Sequence, residues 1–198
     1  MTNLVRSMAL AALVFLSALS LAGPASAYSY AAAGKEPLIV NRENLLSAAA
    51  KGDWQAADTA YKAMAADLDY LDKNEDKGIG KAFTDAMASK NAQTVRNVLS
   101  RAYVDEIERR LNGARDNLKD YQTAKILVVK AQQFYTAMAG DVPPAARKTI
   151  ETNLTKALDA VGNPGVFGVG AKKPDPTTFG KAHDAVLAAL APLRDIGK

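Results

Sequence analysis

The chain contains no cysteine and a single histidine, His183. The first absence excludes disulfides, thiolate-held metal, covalent c-type haem and a lipid on an N-terminal Cys. The second leaves too few nitrogens for a zinc centre and no indicated nucleophile for a histidine-based triad. Glu-x-x-His, the pattern with which helical bundles hold paired iron, does not occur. A glycine-rich phosphate loop is excluded in turn, because no Gly-Lys-Ser/Thr ending follows a strand. No segment shows the two-residue alternation of a half-buried strand, and aromatics make up only 7% of the chain.

One long apolar run is present, Met8 to Ala22, preceded by Arg6 and followed by Gly23-Pro24-Ala25-Ser26-Ala27. A positive start, an apolar core too short to span a bilayer and a small-x-small ending predict a signal peptide over residues 1–27, cleaved near Tyr28 on export. Removing 27 of the 198 residues leaves 171, enough for one domain with its own core. We expect a flexible mature N-terminus over 28–38 and a single helical domain over 39–198. The mature chain has no transmembrane candidate. Its charge is mildly positive with interspersed signs, which argues against nucleic acid as a partner.

The remaining periodicity is helical. Trp54, Ala57, Tyr61, Met64, Leu68 and Leu71 recur at alternating spacings of 3 and 4 behind a capping Asp53. Val95, Leu99, Tyr103, Ile107 and Leu111 form a second stripe after Asn91, with Asn112-Gly113 as a place to break or bend. Opposite that stripe, Arg101–Asp105, Asp105–Arg109 and Glu106–Arg110 read as exposed helix pairs. A helix from about Arg115 to Met138 carries apolar residues on both flanks and is expected to be buried deepest. Pro143-Pro144 opens a further helix, Thr177 or Thr178 caps a last one, and shorter helices fit 39–51 and 79–89. The class is all-α, and the expected architecture is an antiparallel up-and-down bundle of about four principal helices. Ala50 to Ala57 with Tyr61 resembles one helix of a tetratricopeptide repeat, but no second copy follows at the spacing an array needs.

Two segments offer chemistry. Asp72-Lys73-Asn74-Glu75-Asp76-Lys77-Gly78-Ile79 resembles the calcium loop of the EF-hand family, with Asp72, Asn74 and Asp76 at the alternating ligand positions and Ile79 at the apolar one. The resemblance implies calcium or another hard cation there. The chain departs from that pattern at Lys77, where the family has glycine, and at Phe83, where it has the closing glutamate. The second segment runs from Gly162 to Gly170, where glycines surround Val166, Phe167 and Val169. Apolar loop residues of this kind ordinarily fold back to plug the end of a bundle. The functional reading makes Asn163, Val166, Phe167 and Val169 a lip for a partner or ligand.

An exported, alanine-rich bundle with a Gly-Asp-Trp helix start resembles, in general form, the helical extracytoplasmic proteins of bacterial iron uptake and the lumenal bundle subunits of photosystem II. The histidine-glutamate pattern of the imelysin-like group is absent, so no residues carry over. We therefore expect a periplasmic, non-enzymatic protein that binds a periplasmic or membrane-associated protein partner or a small ligand. A periplasmic metal-binding protein, or an iron-uptake accessory, is the alternative.

Overall fold

A computed structural model of the chain describes Gly34 and residues 36–196. The signal-peptide expectation lies outside the described residues. Eight α-helices occur among them, in the order α1 (Pro37–Lys51), α2 (Trp54–Lys62), α3 (Ala65–Asn74), α4 (Ile79–Ser89), α5 (Ala92–Asp116), α6 (Tyr121–Met138), α7 (Pro144–Ala160) and α8 (Pro176–Arg194). A short 3-10 turn, Ala139–Asp141, joins α6 to the segment before α7. No strand occurs among the described residues, and helix packing builds the core. No helix there is long and apolar enough to cross a membrane.

Local chemistry sets the boundaries. Gly52, in the left-handed region at φ 74, ends α1, and the Asp53 carboxylate accepts from the Ala56 N–H to start α2. Asn91 accepts from both Gln93 and Thr94 N–H groups at the head of α5, and Asp120 caps α6 by accepting from Thr123 N–H. The last helix is capped by Asp175, which accepts from Thr178 N–H, rather than by either threonine; Pro176 stands at its first position, where a missing N–H costs nothing. Helix α1 starts two residues before the boundary we placed at 39, and Leu38 is fully buried.

Three helical expectations are corrected. The 54–71 stripe belongs to two helices, because the turn tightens at Ala63-Met64: Met64 N–H bonds Tyr61 O and Asp67 N–H bonds Met64 O, each one residue short of the α register. The stripe survives the bend, with Ala57, Met64, Leu68 and Leu71 all buried. Of the break or bend expected at Asn112-Gly113, the break does not occur, since the helix runs on to Asp116. A Cβ at Gly113 would lie 3.2 Å from a Leu127 methyl, so the glycine serves a close approach between α5 and α6. Finally, α6 begins only at Tyr121 and is not the deepest helix, since Ile126, Leu127 and Val129 are only partly covered.

The deepest helix is α5, which packs against α1, α3, α4, α6 and α8. Tyr103 lies at its centre, fully buried, with its ring edge-on to Phe134 at 5.3 Å and its hydroxyl donating to Leu38 O at 2.8 Å. Tyr103→Phe keeps the ring and removes only that bond. We expect a stability loss of about 1 kcal/mol, read as a lower urea midpoint with an unchanged m-value.

Candidate functional site

The segment between α7 and α8 leaves the core as a tight hairpin-like finger. Its base is an antiparallel bridge between Asn163 and Lys172, whose N–H groups each donate to the other's carbonyl at 2.8 and 2.7 Å. Its tip is a second bridge, Val166 with Val169, at 3.1 and 3.0 Å. Phe167 and Gly168, the two residues between, have φ 52 and 82, the double positive φ of a primed hairpin turn. Glycine is required lower down: a Cβ at Gly162 would fall 2.4 Å from Lys172 O, and one at Gly165 would fall 2.4 Å from Val169 O. Asn163 Oδ1 also accepts from Gly165 N–H at 2.9 Å. At the exit, Asp175 N–H bonds Ala160 O at 2.8 Å, which ties both ends of the finger to the end of α7.

The expectation that this loop plugs the bundle is overturned. Val166 is 73% exposed, Val169 80%, and Phe167 is fully exposed. The bridges hold the backbone away from the core, so no apolar surface among the described residues covers the three side chains. A phenylalanine in the left-handed region is strained as well as exposed, and such strain collects at functional positions.

The four residues of the 72–79 segment meet different partners. Asp72 Oδ1 accepts from Gly78 N–H at 2.8 Å and Gly80 N–H at 3.0 Å, bracing the start of α4. Asn74 turns back and donates to Tyr70 O at 2.7 Å. Asp76 takes a two-pronged ion pair from Arg101 of α5, with Nη2 to Oδ1 at 2.6 Å. Ile79 is fully buried. Among the described residues, no group of three or more His, Asp or Glu side chains is arranged to hold a metal ion.

Charges on α5 are the feature that sequence reasoning missed. Arg101, Asp105 and Glu106 are buried rather than exposed, and of the three expected pairs only Glu106–Arg110 forms, at 3.1 Å. Arg101 reaches Asp76 instead, and Asp105 lies beside both that aspartate and Arg194 of α8, whose Nε is 3.7 Å away. Burial, with Asp76 close by, raises the Asp105 carboxyl to about 7. Arg194 is also ion-paired with Glu108.

One turn on, Glu106 holds Arg109 and Arg110, and Glu36 bridges Arg110 and Lys130 at 3.0 and 2.7 Å. Arg109 lies over the Tyr70 ring at 4.9 Å, beside a hollow of about 280 Å³ that Asp67 also lines. Burial raises the Asp67 carboxyl above the usual range. At the N-terminal end of α5, Asp141 gathers Arg42, Arg96 and Ser100. Here Ala102 and Val104, apolar outside the main stripe, were the available sign that α5 is enclosed on more than one side.

His183 is buried, with Nε2 3.0 Å from Asn112 Oδ1 and Nδ1 2.8 Å from Asp184 Oδ1. Its ring ties α8 to α5.

No protein family's sequence model matches the chain, and no curated protein or solved structure matches it.

Proposed function

We propose that this chain is an exported, non-catalytic protein, an antiparallel helical bundle that works by docking on a partner through the apolar finger tip. One observation carries the reading: Val166, Phe167 and Val169 are held outward by two backbone bridges and stay exposed. A floppy loop would lose conformational entropy on binding, whereas this one is already ordered, so its apolar area is available for association. Buried Arg101 and Asp105 of α5 face charges on other segments, Asp76 and Arg194, and brace the scaffold that presents the finger. Asp72, Asn74 and Asp76 are bonded within the fold, and no cation is assigned to them.

A photo-crosslinking phenylalanine analogue in place of Phe167 tests this in cells that export the chain. We expect adducts, to protein or to lipid, that are absent when the same analogue replaces Lys148, an exposed residue of α7. Absence of any adduct specific to position 167 overturns the reading.

A further inference from the structure

We infer that the surface on which the finger docks is an anionic lipid bilayer, with Val166, Phe167 and Val169 entering the apolar boundary and Lys172 and Lys173 lying at the headgroups. The inference rests on the docking role proposed above and identifies what is docked upon.

The dimensions of the finger suit a bilayer. The base bridge joins Asn163 to Lys172 and the tip bridge joins Val166 to Val169, so three residue steps, with two residues between, separate them on each side. Fully extended, three steps of about 3.3 Å span about 10 Å, and the left-handed Gly165 and Gly170 shorten that, so the tip stands at most about 10 Å beyond the lysine at the base. That matches the roughly 5–10 Å to which interfacial apolar groups sink below the headgroups. Both lysines are exposed, and Lys172 Nζ, which reaches Asp159 O at 3.3 Å, marks the base of the finger. Asp175 attracts Lys172 and offsets part of its charge. Asp175 uses both oxygens to cap α8 through Thr178, and Asp159 belongs to the helix behind the finger.

The three tip side chains alone fall short of a whole standard protein interface. Three side chains of this kind cover about 500 Å² at most, given roughly 150–250 Å² for a whole aromatic. A stable protein interface takes about 800 Å² from each partner. The finger is convex and narrow. A fluid bilayer needs no matching socket and receives a narrow apolar tip with charged shoulders.

The full exported chain is mixed with vesicles of phosphatidylcholine alone and with vesicles that also contain phosphatidylglycerol, and bound protein is measured by sedimentation. We expect binding to the anionic vesicles, weakened about tenfold or more by Phe167→Ala. Lys172→Gln with Lys173→Gln should weaken it by a similar factor, as should raised salt. A Phe167→Trp variant should shift its emission to the blue on anionic vesicles, which reports insertion directly. Circular dichroism of every variant should match the parent, since each altered side chain is exposed.

Failure to bind anionic vesicles overturns the inference, and so does binding indifferent to Phe167→Ala. If vesicles fail but the analogue at position 167 still captures one discrete protein, the docking role stands and the bilayer assignment falls. If both fail, both fall.

Discussion

Arg101→Ala is expected to lower stability by about 3–5 kcal/mol, the usual result of removing one partner from a buried ion pair. The Arg101 side chain is only 8% exposed and supplies two nitrogens to Asp76. Once it is gone, Asp76 and Asp105 face each other, and Arg194, which lies by Asp105, is itself engaged by Glu108. For a domain of this size the melting temperature should fall by roughly 10 °C or more. Arg115→Ala is the contrast: its contact with Asp116 is 3.7 Å long and exposed, so the change should be within about 0.5 kcal/mol. Adding Asp76→Asn to Arg101→Ala should restore part of the loss by removing one of the two facing carboxylates. A loss under about 1 kcal/mol by chemical denaturation would show that the pair does not hold α5 to the α3–α4 turn.

The second large effect depends on pH. Asp105 is buried on α5 among Asp76, Arg101 and Arg194, and its carboxyl is raised to about 7. In the unfolded chain an aspartate titrates near 3.9. The native state therefore holds this proton more tightly, and the stability it contributes is complete below pH of about 4 and lost as pH rises through 7. Thermal melts should show stability falling by a few kcal/mol at most across that window, since each tenfold gain in proton affinity on folding contributes about 1.4 kcal/mol. Asp105→Asn has the same shape and never ionises. It should flatten the dependence between pH 4 and 7 and match or exceed the parent above it. A parent curve that rises with pH through this window, or a variant curve identical to it, would remove Asp105 as the cause.

The two finger bridges and the ion pairs of α5 show where the sequence could be read and where it could not. Helical stripes were legible because apolar spacing is a local property: Val95, Leu99, Tyr103, Ile107 and Leu111 all lie in the core as their period requires. The caps at Asp53 and Asn91 were legible for the same reason. The bend at Met64 was not, since it has neither proline nor glycine to mark it. The residues of the finger stand out by composition, yet composition points to a plug. Whether Phe167 faces the core or the solvent depends on the bridges Asn163–Lys172 and Val166–Val169, which no periodic pattern announces.

The charges taught the opposite lesson. Arg101 and Asp105 are four apart, which on an isolated helix makes them a surface pair, and they are buried and joined to other helices. By itself, then, the sequence determined the all-helical class, most helix positions and the apolar seam, because those follow from spacing along one chain. The tertiary structure alone decided which charges are enclosed, which partner each takes and which apolar residues remain outside. Burial is set by neighbours distant in sequence, and the energy of a charge or a phenyl ring depends on what surrounds it.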